Sequence, residues 1–109
     1  MSAVESQPII INYHPQSLER FENNGHILKK IGVGRMASPG RPGGNQQYYS
    51  QLEFVRTLKV QRLFPVFYNM GHKIEYMGEY ALETFTKRQS FEGFTYFIYT
   101  MHRKKKPVI

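Results

Sequence analysis

The chain has 109 residues, with 40% hydrophobic and 21% charged residues and a net charge of +7, the balance of one folded basic domain rather than a disordered chain. Cysteine is absent, which excludes a disulfide framework, a zinc–thiolate site and a cysteine nucleophile, and fits a reducing nuclear or cytoplasmic setting. All eight acids are glutamate, so a magnesium phosphotransferase or an aspartate-dependent triad is not expected.

Residues 8–13 (PIIINY) form a short β-branched run that predicts a strand. Pro15 then opens a predicted short N-terminal helix, with Leu18 and Phe21 three apart on one face and Asn23, Asn24 and Gly25 as its stop. Residues 26–33 (HILKKIGV) read as a strand. Residues 32–47, GVGRMASPGRPGGNQQ, carry Arg35 and Arg41, five glycines and two prolines, and no acid side chain occurs between Glu22 and Glu53. Sixteen residues without periodicity exceed an ordinary connection, so this segment is expected to be a flexible basic loop with a binding role.

Two templates compete over residues 52–64 (LEFVRTLKVQRLF). At helical spacing Arg56, Lys59 and Arg62 fall within the arc of Leu52 and Val55, whereas period two makes five of seven even positions apolar, which favours a strand. A helix from Tyr48 into the mid-fifties is the alternative. Pro65 and the run Asn69, Met70, Gly71 break the chain. Residues 73–77 read as a strand, Gly78 as a bulge or close approach, residues 80–86 as its continuation and residues 87–93 as a polar turn. Residues 94–101 (FTYFIYTM) give the clearest strand, expected to be central in the sheet and paired near Ile74 and Tyr76. Residues 102–109 are expected to be an exposed basic tail. No apolar run approaches the roughly 20 residues that span a bilayer, and the first residues have neither the pattern of a secretory signal nor that of a mitochondrial import peptide. The fold class is therefore α+β and β-rich: a single domain, 1–109, built as a small, partly closed, barrel-like sheet with one short N-terminal helix and a long basic Gly/Pro loop.

The segment 74–103 runs IEYMGEY, then about a dozen residues, then GFTYFIYTMHR. With Tyr76, Gly78, Tyr80, Gly93, Phe94 and Arg103 in matching places, this hairpin resembles that of SRA (YDG) domains, PUA-like barrels that read modified bases in DNA. The resemblance covers about a quarter of the chain and implies a barrel-like fold and a nucleic-acid partner. Met77 stands where the family carries an aspartate, and a thioether does not replace a carboxylate acceptor. Base flipping and methylcytosine recognition are thus not carried over.

Lys and Arg on a glycine-rich loop and a tail can follow a phosphate backbone, releasing counterions as they neutralise it. The candidate nucleic-acid-binding residues are Lys29, Lys30, Arg35, Arg41, Arg56, Lys59, Arg62, Arg103, Lys104, Lys105 and Lys106, with Tyr48 and Tyr49 as stacking platforms for unpaired bases. Lys87 and Arg88 add to the basic inventory, and the cluster at 103–106 also fits a nuclear-localisation signal. The glycine motifs contain no GxxxxGK[ST] phosphate loop. The histidines at 14, 26, 72 and 102 have no metal-ligand spacing, and Glu75, Glu79 and Glu83 read as solvated surface, so no metal, cofactor or catalytic residue is expected. A non-enzymatic nucleic-acid-binding module is the first reading. The alternative is a structural subunit of a large assembly, such as a ribosomal or organellar complex, with protein partners.

Overall fold

In the computed structural model, which describes residues 7–38 and 40–108, a six-stranded sheet curls into a half-barrel around one helix. The strands are β1 (Ile9–Asn12), β2 (Arg20–Glu22), β3 (Ile27–Ile31), β4 (Met36–Ser38), β5 (Arg41–Pro42), β6 (Phe64–Asn69), β7 (Ile74–Gln89) and β8 (Thr95–Lys105), and the helix α1 is Tyr48–Gln61. The large sheet has the order β1-β6-β7-β8-β3-β2, with β1 parallel to β6 and every other pair antiparallel, while β4 and β5 form a separate ladder. The α+β, β-rich, barrel-like class is as expected; among the described residues the one helix lies mid-chain rather than near the N-terminus.

The predicted helix after Pro15 is a turn. Ser17 N donates to the His14 carbonyl (3.0 Å) and Glu19 N to Ser17 Oγ (3.0 Å), local bonds that satisfy the backbone without the costly nucleus of a helix. Leu18 and Phe21 do not share a face either: Phe21 packs on the core, while Leu18 borders a concavity on the other side of the sheet. Asn23, Asn24 and Gly25, expected as a helix stop, turn β2 into β3 with three consecutive left-handed residues (φ 53°, 56° and 85°). Asparagine and glycine tolerate that region best.

The strand favoured over residues 52–64 is the helix α1. Its sheet-facing stripe is Gln51, Val55 and Leu58, with Phe54 alongside, so one of its buried positions is polar, while Leu52 and Val60 face outwards. That arrangement blurs the 3.6-residue period and lets the alternation dominate. The helix stops at Arg62, in a left-handed conformation (φ 68°), three residues before Pro65.

β7 is one bent strand of 16 residues rather than two. Its ladder with β6 shifts register between Val66 and Phe67, opposite Gly78 and Tyr76, which leaves Met77 as the extra residue of a bulge at the expected place. Gly78 has φ 110°, and a Cβ there would run into the Lys105 carbonyl. β7 continues to Gln89, so only residues 90–94 connect it to β8, with the turn closed by Gly93 N to the Ser90 carbonyl (2.9 Å). This length moves the pairing of β8: Phe97 and Ile98 lie opposite Lys87 and Thr86, whereas Tyr76 and Ile74 pair with Phe67 and Asn69 of β6. β8 is interior to the sheet as expected, but its register with β7 is not the predicted one.

The core lies between the sheet and α1 and contains Ile9, Ile11, Leu28, Val55, Leu58, Phe64, Val66, Tyr80, Tyr99 and Met101. On β8 it takes the alternate residues Phe97, Tyr99 and Met101, while Tyr96, Ile98 and Thr100 face the opposite side.

Candidate nucleic-acid interface

Two glutamines, Gln46 at the end of the basic segment and Gln51 in the first turn of α1, lock that segment to the sheet. Gln46 inserts its carboxamide between β3 and β8: Nε2 donates to the Gly32 carbonyl (3.0 Å) and Oε1 accepts from Phe97 N (3.0 Å). Gln51 is wholly buried. Its Oε1 accepts from Val33 N (2.8 Å) and the Tyr99 hydroxyl (2.6 Å), and its Nε2 donates to the carbonyls of Val33 (2.6 Å) and Gln47 (3.1 Å). Burial pushes the Tyr99 phenol well above its usual pKa, so it stays a neutral donor. Gly32 sits between the two amides; a Cβ there would lie 2.6 Å from Gln46 Oε1 and 2.7 Å from Gln51 Oε1. Sequence reasoning missed both glutamines, which belong to no motif and read as ordinary polar residues.

Between these anchors the expected loop holds the β4–β5 ladder. It leans on the turn that precedes β2, with Leu18 N bonded to the Gly40 carbonyl (2.8 Å). Arg41 spans the same gap, donating to the Gln16 carbonyl (3.2 Å) and to Glu92 (2.8 Å). The Arg41 hydrogen bond holds the Glu92 carboxyl below the usual glutamate range. Arg35 is exposed.

The other candidates separate by role. Lys30 lies on the helix side of β3, paired with Glu19 (3.4 Å) and 5.8 Å from the centre of the Phe54 ring, so its charge serves packing. Lys29 points to the opposite side and donates to Thr100 Oγ1 (3.0 Å). Tyr48 packs against Phe85 and Phe97 at the start of α1, and Tyr49 beside it is 72% exposed. Arg56, Lys59 and Arg62 are exposed along α1 and its C-terminal cap.

The expected tail from His102 is strand as far as Lys105. Arg103 is half-buried and works as a clamp: Nη1 donates to the Met77 carbonyl (3.1 Å) and Nη2 to the Asn24 carbonyl (3.3 Å), tying the β7 bulge to the β2–β3 turn. The Tyr80 hydroxyl donates to the neighbouring Gly25 carbonyl. Burial raises the Tyr80 pKa, and the Arg103 charge offsets part of that rise. Lys104, Lys105 and Lys106 are exposed, with Lys105 at 4.0 Å from Glu79.

The loop and the tail do not converge. Gln46 N bonds Thr95 at one end of β8 and Lys105 closes the other; ten residues at ~3.3 Å separate them by roughly 33 Å. The helix runs between the two ends, with Tyr48 by Phe97 and with Lys59 and Arg62 beside Ala81 and Leu82.

A curled sheet, a single helix on its inner side and a bulged Tyr-x-Gly-x-Tyr strand define an SRA-like half-barrel. Comparison with solved structures bears out that resemblance over nearly the whole chain. The SUVH5 SRA domain in complex with methylated CHH DNA matches with a TM-score of 0.67 and 17% identity over 94% of this chain and 66% of that one. The same domain with fully methylated CG DNA gives 0.68 and 18% over 94% and 67%. KRYPTONITE in complex with mCHG DNA and SAH gives 0.65 and 19% over 93% and 24%. The chain thus spans about two thirds of the SUVH5 SRA chains and about a quarter of KRYPTONITE. No protein-family model and no curated protein matches the sequence. At these identities the likeness is one of fold, and the chemistry rests on this chain's own residues.

Proposed function

We propose that the protein is a non-enzymatic nucleic-acid-binding module that grips the phosphate backbone. The observation that supports this most is the excess of unpaired positive charge on an SRA-like fold: among the described residues, Arg35, Arg56, Lys59, Arg62, Lys104 and Lys106 enter no ion pair with a carboxylate. Solved SRA domains of this fold hold methylated DNA, which makes DNA the first partner to test. In this reading Lys30, Arg41 and Arg103 hold the fold, the exposed cations meet phosphates, and Tyr49 offers a ring for stacking on an unpaired base. The two ends of β8 set a footprint of about ten nucleotides, given ~3.4 Å of backbone rise per strand.

The test is a fluorescence-anisotropy titration of labelled single- and double-stranded DNA and RNA at several salt concentrations. Affinity should fall steeply with salt and vary little with base sequence. Replacing Lys104, Lys105 and Lys106 by Gln should flatten the slope of log affinity against log salt by about 0.7–0.9 for each phosphate that is no longer neutralised. Absence of binding to all four probes at low salt overturns the proposal.

A further inference from the structure

On the side of the sheet away from α1, a concavity of about 90 Å³ is bordered by Arg20, Lys29 and Arg88, with Leu18, Tyr96 and Ile98 completing its walls. Three strands bring the cations together. Arg20 and Lys29 stand directly opposite each other in the β2–β3 ladder, and Arg88 stands opposite Tyr96 in the β7–β8 ladder. Like charges directly across an antiparallel ladder are destabilising, so the Arg20–Lys29 pair is a cost that the fold alone does not explain. Among the described residues one carboxylate offsets it: Glu22 accepts from Arg20 Nε (2.7 Å) and leaves both terminal nitrogens of that guanidinium to other partners. Lys29 spends one of its three donors on Thr100. Arg88 enters no ion pair among the described residues.

We infer that this concavity is a binding pocket for a single phosphoryl group. Its volume leaves room for a tetrahedral oxyanion and is far below the ~300 Å³ of a pocket for a larger organic ligand. Guanidinium groups on two sides suit bidentate contact with phosphate oxygens, and the ammonium supplies a third direction of charge. Bound phosphate turns the repulsion between Arg20 and Lys29 into shared attraction. The group can be an internal phosphate of a nucleic-acid backbone or the terminal phosphate of a monoester; both present the same oxygens. The pocket does not depend on the proposed nucleic-acid function.

The experiment is two-dimensional NMR of the ¹⁵N-labelled full chain, read at the amides of Lys29, Tyr96 and Ile98 and at the Arg88 side-chain Nε–H. Inorganic phosphate should give saturable shifts confined to these signals, and chloride at matched ionic strength should not. Arg88→Gln, at an exposed position, should weaken phosphate binding at least tenfold, with Arg88→Lys intermediate. Shifts that follow ionic strength alone, or that survive unchanged in Arg88→Gln, overturn the pocket. Oligonucleotides of one sequence with 5′-phosphate or 5′-hydroxyl ends then identify the source. Preference for the phosphorylated end assigns a terminal phosphate; equal shifts assign an internal one. Phosphate binding without any oligonucleotide binding would sink the nucleic-acid reading and leave the pocket standing.

Discussion

Replacing Gln51 by leucine tests how the basic segment is fastened to the sheet. The two side chains are close in size, so the change opens no large cavity and acts through hydrogen bonding. It removes four bonds: those with Val33 N, the Val33 carbonyl, the Gln47 carbonyl and the Tyr99 hydroxyl. The Val33 and Gln47 groups belong to exposed residues and can turn to water, but the Tyr99 hydroxyl is enclosed. An orphaned buried donor costs about 1–3 kcal/mol, and rehydrating the others costs a fraction of that. The expected loss is about 2–4 kcal/mol, roughly 8–16 °C in Tm for a chain of this size. Tyr99→Phe alone should cost about 1 kcal/mol, because Gln51 Oε1 keeps its bond from Val33 N. In the double variant the orphan hydroxyl is gone, so urea titrations should show it less destabilised than the sum of the singles by about 1–2 kcal/mol. Additivity within about 0.5 kcal/mol, or a Gln51→Leu variant as stable as the parent, would refute the account of this network.

Arg103→Ala should destabilise by about 2–3 kcal/mol, since two charge-assisted bonds to carbonyls are removed, whereas Lys104→Gln should leave the urea midpoint unchanged. Gly78→Ala must displace the Lys105 backbone in addition to the ~1–2 kcal/mol of left-handed strain, while Gly93→Ala meets open space and pays the strain alone; thermal melts should separate the two by more than about 1 kcal/mol. The depressed Glu92 carboxyl makes its pair with Arg41 stabilising above the unfolded-state value near 4.3, with that stabilisation lost as pH falls through the lower folded-state value. A carboxyl ¹³C titration should place the Glu92 midpoint below that of an ordinary glutamate, and Arg41→Ala should raise it; an unchanged midpoint would remove the ion pair from solution.

The features that were legible in the sequence are those fixed by neighbours along the chain. The β-branched run at Ile9, Ile10 and Ile11, the bulge at Gly78 and the aromatic strand over residues 95–101 each follow from local steric preference and alternation and stand where they were expected, although that strand runs on to Lys105. The hairpin resemblance was legible for the same reason, because a positive-φ glycine between two tyrosines is a local requirement of a bulged strand. Errors arose where tertiary contacts overrode the local signal. Gln51 counts as polar in any pattern, yet four hydrogen bonds make it a core residue; with Leu52 and Val60 facing outwards among the exposed Arg56, Lys59 and Arg62, the helix shows no clean apolar face in sequence and reads as a strand. Leu18 and Phe21 keep helical spacing while serving opposite sides of a sheet.

Charge was legible as a total and not as a distribution, because a side chain's partner is set by register across strands. Arg103, Arg41 and Lys30 look identical to Arg35 in sequence, yet the first three end on carbonyls, a glutamate or a ring, while Arg35 stays exposed. Arg20 shows the converse. It carried no functional reading, although Arg20, Phe21 and Glu22 alternate charge, ring and charge with the period of a strand, the signal that could have placed it. The β2–β3 register then sets it against Lys29, and the length of β7 brings Arg88 to the same concavity. A hairpin lengthened or shortened by a few uncharged residues would keep the net charge and disperse that cluster. The electrostatics that matter for recognition therefore follow from strand pairing, and a charge count of +7 acquires a direction only once the register is known.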